Sequence, residues 1–342
     1  MIRTSTLKNI QALRLFAAAL VFLQHAYFFS SQVTGDAALD FRKFNFGGVG
    51  VYVFFIISGF VIALQTDKKP IFFASHRLAR IYPAYFIALI TSTAIFYLFS
   101  SHRPALSNWA SLLLFPSGSL NDSFQVPYWT LIYEMFFYTF IVALMLLTRA
   151  RPPLMNAVLL LWLASILVAG HNGVSVSLPN PDYTTIFLSP LNIFFITGYF
   201  LARLTLSPHK TAAYMGFFLI GVESTFFAES RYLLSTSLVG AMLILFAIQL
   251  KPFPKSLNIL GDYSYGIYLL HLPIIYCLYL ALKSSGATFH TSFLLMTIVA
   301  LPTSIAFGKL EYWLYQQKIR PLVDRLLSRH TTPQLKQPLE QP

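Results

Sequence analysis

Ten apolar runs of membrane-spanning length, separated by short connections rich in basic residues, decide what this 342-residue chain can fold into. They begin near Ile10, Gly48, Ile81, Tyr128, Leu154, Ile186, Ala212, Tyr232, Ser264 and Thr291. A bilayer core takes about 20 apolar residues of helix, because only a helix or a closed barrel satisfies every backbone polar group there. Charged residues make up 11% of the chain, against about 25% in a soluble domain, so this surface belongs in lipid. The reading is an all-α, polytopic membrane bundle of about ten transmembrane helices. The stretch Asn108–Phe115 is too short to span and is expected at the interface.

A net charge of +12 would suggest nucleic acid in a soluble protein. Here the basic residues sit in the connections and report topology instead. With the N-terminus in the cytoplasm, 17 of the 24 Lys and Arg fall inside and 5 outside, and Arg14 and Lys309 lie in or beside spans. Both termini are therefore expected in the cytoplasm, with the chain in a bacterial inner membrane. The first run, Ile10 to Phe29, is long for a cleavable signal and carries Arg14, so it reads as a retained span. Residues 1–329 read as the membrane domain, and 330–342, polar and rich in Pro and Gln, as a disordered tail. The single Cys277 excludes an intrachain disulfide. The long outer connections Ser30–Gly47, Ser101–Pro127 and His171–Thr185 are candidates to shape an acceptor site.

Arg14 and His25 lie in the first run, eleven positions apart. Eleven steps of 100° come within roughly 20° of three turns, so both face one side of a helix, ~16 Å apart. Ionisable groups inside a span are expensive, and function is the default reading. Glu134, in Trp129-Thr130-Leu131-Ile132-Tyr133-Glu134, lies about six residues below the outer surface if that span starts there. This matches the depth of His25 to within roughly a turn. A carboxylate there would orient the imidazole and raise its basicity; alternatively, Glu134 pairs with another polar group.

Arg77 and Arg80 are i, i+3 neighbours at the cytoplasmic mouth of the third span, suited to phosphate through charge-assisted contacts. Lipid headgroup anchoring explains them equally. Ser58 and Gly59 permit close helix packing. His271, in Ser264-Tyr265-Gly266-Ile267-Tyr268-Leu269-Leu270-His271, reads either as a core histidine satisfied by a hydroxyl or as a wall of a tunnel. Glu311, beside Tyr312 and Trp313, reads as interfacial. No Walker loop, GxGxxG, CxxC, HExxH or GxSxG motif occurs, so the metals and nucleotides those motifs hold are not implied. From these residues alone, an enzyme and a secondary transporter exporting a lipid-linked sugar are equally supported.

Five motifs in order, Arg14-x10-His25, GVYVFFIISGF, Arg77-x-x-Arg80-Ile-Tyr-Pro, WTLIYEMFFY and SYGIYLLH, resemble the acyltransferase-3 family of integral-membrane O-acyltransferases. The closest likeness is to the exopolysaccharide O-acetyltransferases. The resemblance covers essentially the whole chain. It implies transfer of an acyl group, commonly acetyl, from cytoplasmic acyl-CoA to a hydroxyl of a polysaccharide, lipopolysaccharide or glycolipid, without a metal. It assigns catalysis to His25 and Arg14 and donor binding to Arg77 and Arg80, with Tyr82 of the same motif; the match in depth adds Glu134 as the catalytic-site group that orients His25. Ser58, Trp129, Tyr268 and His271 are further candidates. Implied partners are acyl-CoA, a glycan or glycolipid acceptor and membrane lipids. In one departure, Tyr52 stands where many members have Asp. In another, no SGNH-type esterase domain is recognisable, so a transfer needing one draws on another chain.

Overall fold

The computed structural model describes residues 4–35, 45–99, 109–118, 127–174, 176, 181–206, 240–241, 243–248 and 250–329. Among these there is no strand, only an isolated bridge between Ser117 and Asp182. The helices are α1 (Thr4–Thr34), α2 (Phe46–Ala63), α3 (Pro70–Phe99), the single turn α4 (Trp109–Leu112), α5 (Trp129–Leu147), α6 (Pro152–His171), α7 (Asn192–Leu206), α8 (Lys255–Asp262), α9 (Ser264–Leu282), α10 (Phe289–Leu314) and α11 (Arg320–Arg329). Seven helices among the described residues are long and apolar enough to cross a membrane, α10 and α11 counting as one through a π-turn at Tyr315–Ile319. The runs expected from Ala212 and Tyr232 lie outside the described residues, apart from a helical stretch within 240–248. So does the tail 330–342.

Local chemistry sets the helix ends. The Asn45 side chain accepts the Gly48 amide at 2.9 Å and caps α2. Pro152 and Pro153 open α6 in the one part of a helix where a missing N–H costs nothing. The sixth run was expected from Ile186, but α7 starts at Asn192. Ser189 precedes Pro190 and is held extended, which ends the short 3-10 turn Ile186–Leu188 before the helix begins.

The helices pack where side chains are absent. A Cβ at Gly59 would stand 2.0 Å from the Phe195 carbonyl oxygen, and one at Gly198 would stand 1.9 Å from that of Ile56. The backbones of α2 and α7 therefore touch, as the Ser58-Gly59 pair led us to expect. Gly266 and Gly308 bring α9 and α10 together in the same way. α1 packs against α2, α8, α9 and α10. Its buried Asn9 is tied to the chain before α8, donating to Ala247 O at 2.8 Å and accepting from Phe253 N at 2.9 Å. The main core joins α2, α3, α5 and α7, and a smaller one joins Phe22, Ala26, Ile275, Met296 and Ala300. Outward faces remain apolar: Ile90, Leu147 and Leu161 are 68%, 84% and 69% exposed. With seven such helices, this is a multi-pass membrane protein.

The segment after α3 does not rest at the end of the bundle. The Tyr85 hydroxyl donates to Leu112 O at 3.1 Å and the Tyr82 hydroxyl to Leu113 O at 2.9 Å. Tyr82 precedes the end of α3 by 17 residues, ~25 Å of helix. Residues 109–115 thus run beside the middle of α3, with Leu114 buried at φ +61°. The two tyrosines satisfy carbonyls that this irregular backbone leaves without helical partners.

Candidate active site

The site is built from α1, α2, α5 and α9, with α3 and α10 closing one end. In its upper layer His25 Nδ1 lies 3.0 Å from His271 Nε2. His271 Nδ1 donates to the Ile267 carbonyl one turn earlier, at 3.1 Å. His25 is half-buried and His271 is 1% exposed, between the rings of Phe22 and Tyr268. The expected contact of His25 with Glu134 is not formed; His271 occupies that position.

The reason is the height of α5. Its first residues do not reach the end of the bundle. The Thr130 hydroxyl is 2.7 Å from that of Tyr268, and Tyr268 also donates to Pro127 O at 2.7 Å. Tyr128 reaches Ser92, seven residues before the end of α3, and the Leu269 carbonyl, five residues into α9. Glu134 follows one turn below Thr130, which places it ~10 Å beneath the two histidines. α1 also continues to Thr34, so His25 sits deeper than a span ending at Phe29 would place it.

Glu134 forms the lower layer. Its Oε1 accepts from the Tyr138 hydroxyl and from Ser58 Oγ at 3.5 Å. Arg14 interacts electrostatically with Glu134, Tyr138, Arg77 and Arg80. Arg14, Ser58, Thr130, Glu134, Tyr265 and Tyr268 line one narrow cavity of about 40 Å³, walled otherwise by Val51, Phe54, Phe55 and Leu131. This small cavity, with polar groups set among apolar walls, lies between Arg14 and Tyr268, one turn below His271. Trp129 does not line this cavity; its ring lies edge-on to Tyr133, with centroids 6.1 Å apart. Tyr52 stacks on Phe194 at 4.4 Å, so this position supports α7 with an aromatic ring.

Arg77 and Arg80 both lie on α3, as the i, i+3 reading requires, but they splay apart. Arg77 stacks on Phe73 and Tyr138 at 5.4 and 5.2 Å, and its Nη2 is buried without a hydrogen-bond partner. Arg80 lies over Tyr265 and Tyr315 at 5.2 and 4.9 Å and is ion-paired with Glu311. Glu311 is 4% exposed, so it is a core residue of the arginine cluster rather than an interfacial one. Tyr82 turns its hydroxyl to Leu113. Near the same end, burial pushes the Asp262 carboxyl up, against the pull of Arg14, Tyr312 and Arg80.

With these residues in place, the comparison with known proteins is informative. A family model described as an acyltransferase domain matches residues 7–309. The chain belongs to the acyltransferase-3 family. This acyltransferase is 30% identical to the exopolysaccharide production protein ExoZ of Rhizobium meliloti (strain 1021) over 249 residues, 67% of this chain and 77% of ExoZ. It is 34% identical to the acyltransferase MdmB of Streptomyces mycarofaciens over 150 residues, 40% of this chain and 38% of MdmB. No solved structure matches it. Membership decides between enzyme and transporter: the chain is a membrane-embedded O-acyltransferase that takes an acyl donor.

Two site features escaped sequence reasoning. The partnership of His25 with His271 was hidden because depth was reckoned from run boundaries, and α5 starts low. The partnership of Arg80 with Glu311 had a usable signal. Glu311 is one of few acids within the apolar runs, with Glu134 and Glu223, and buried charges are paired.

Proposed function

We propose that this acyltransferase moves an acyl group, acetyl in the simplest case, from cytoplasmic acyl-CoA to a hydroxyl of a cell-surface polysaccharide or lipid-linked glycan. The observation that carries the reading is the cluster of Arg14, Ser58, Glu134 and Tyr268 around one small cavity, one turn below the histidine pair. The predominance of Lys and Arg near the N-terminal end of α1 supports entry of the donor from the cytoplasm. The printed name of ExoZ supports a glycan acceptor.

In this reading Arg77, with its unpartnered Nη2, takes a donor phosphate. Arg14 and Glu134 line the path of the pantetheine arm, and the thioester reaches His25. His25 takes the proton of the acceptor hydroxyl as its oxygen forms the C–O bond to the acyl carbon. The C–S bond breaks, and the CoA sulfur leaves with the proton that His25 gives up. In the alternative order, His25 accepts the acyl group first and passes it to the hydroxyl. A positioned base contributes about 10²–10⁴-fold.

The test is transfer of radiolabelled acetyl from acetyl-CoA into surface glycan, comparing wild type and His25→Ala in matched membranes. Label that falls by that factor in the variant supports the reading. Equal labelling in a well-inserted variant removes His25 from the reaction. Absence of label in wild type removes acetyl-CoA as donor.

A further inference from the structure

We infer that His271 is a positioning residue that fixes the tautomer of His25, holding its proton on Nδ1 and leaving the Nε2 lone pair free for the reaction. The inference rests on His25 being the reacting group, but it does not depend on whether His25 acts as base or as acyl carrier. Both roles use the same unprotonated nitrogen.

The argument follows from which atoms can accept. The Ile267 carbonyl has no proton to give, so at 3.1 Å it requires the proton of His271 to sit on Nδ1. The opposite tautomer would set two lone pairs against each other. A neutral His271 then presents Nε2 as an acceptor, and the 3.0 Å contact requires His25 Nδ1 to donate. The proton of a neutral His25 is thereby placed, and Nε2 is the remaining basic nitrogen.

Burial keeps the pair neutral. His271 is 1% exposed, and among the described residues no carboxylate is hydrogen-bonded to either ring. A charged His271 would be an unpaired ion among Phe22, Tyr268 and the helix backbone. The chain of bonds also ends at a carbonyl, which cannot take up a proton. His271 therefore orients His25 and does not relay a proton away from it.

The experiment compares His271→Gln, His271→Leu and His271→Lys in the full chain, reconstituted in nanodiscs. The glutamine carbonyl can accept from His25 Nδ1; leucine offers nothing; an ammonium group only donates, which forces the proton of His25 onto Nε2. Expected are activity within about tenfold of wild type for Gln, a loss approaching 10²–10⁴-fold for Lys, and an intermediate loss for Leu. The ¹⁵N spectrum of histidine-labelled wild type is expected to show His25 protonated at Nδ1 and bare at Nε2, a readout that needs neither activity nor a foldable variant. A wild-type His25 protonated at Nε2, or a folded lysine variant with full activity, overturns the inference. Survival of activity in His25→Ala would instead overturn the underlying role of His25, so the two failures are distinguishable.

Discussion

Glu311 meets Arg80 across 231 positions of chain and pairs with it inside the bundle, where α10 passes α3. The guanidinium is held between Tyr265 and Tyr315, and Glu311 Oε2 is buried without a partner. Of the two arginines that the spacing offers to a phosphate, one is already neutralised.

Breaking a buried pair by removing one partner costs about 3–5 kcal/mol. Glu311→Ala is therefore expected to lower the melting temperature of the detergent-solubilised protein strongly. Glu311→Gln, which keeps an acceptor for Arg80, should lose less. An unchanged melting temperature in the alanine variant would mean that the pair contributes nothing to the fold.

Arg77 carries the donor assignment. A hydrogen bond to a charged group contributes about 1.5–3 kcal/mol, so Arg77→Ala should raise the KM for acetyl-CoA roughly 10- to 150-fold. Acetyl-pantetheine, which lacks the phosphates, should be used equally by both proteins. A similar loss with acetyl-pantetheine would place Arg77 in the fold or the chemistry instead.

Contact between α2 and α7 leaves no room at Gly59, where a new Cβ meets the Phe195 carbonyl. Gly59→Val is expected to yield no monodisperse protein on size exclusion after extraction. Gly170, near the end of α6, meets nothing within 4 Å, and Gly170→Ala should stabilise by about 0.4–1 kcal/mol. Size exclusion reads the first effect, and thermal unfolding of Gly170→Ala against wild type reads the second.

Asn9 is 1% exposed and joins the start of α1 to the turn before α8. Asn9→Ala strands buried backbone groups at about 1–3 kcal/mol each. A lowered melting temperature with the KM for acetyl-CoA unchanged is expected. A change in KM without a change in stability would assign Asn9 to the donor site.

The helical class and most helix positions were legible because spanning runs are long and the bilayer leaves few alternatives. α3 is helical through Arg77 and Arg80, and Gly59 makes its close approach, as the residues indicated. What stayed hidden was relative height. Pattern along one helix says nothing of how far its neighbour is sunk, and α5 begins beside Leu269 rather than at the surface. That offset turned a supposed His25–Glu134 contact into two layers, one of histidines and one holding Glu134 with Tyr138 and Ser58. Nothing in the sequence signalled that residues 109–115 return to α3, where the Tyr82 and Tyr85 hydroxyls donate to their carbonyls.

The two histidines are 246 residues apart in the chain. At about 5–20 residues per second of synthesis, His25 waits ~12–50 s after its own emergence before its partner exists. Asn9 waits likewise for the backbone at Ala247 and Phe253. α1 thus meets α2 early and α8, α9 and α10 only near the end of synthesis. During that interval a nascent chain carries His25 in lipid without the ring that fixes its orientation.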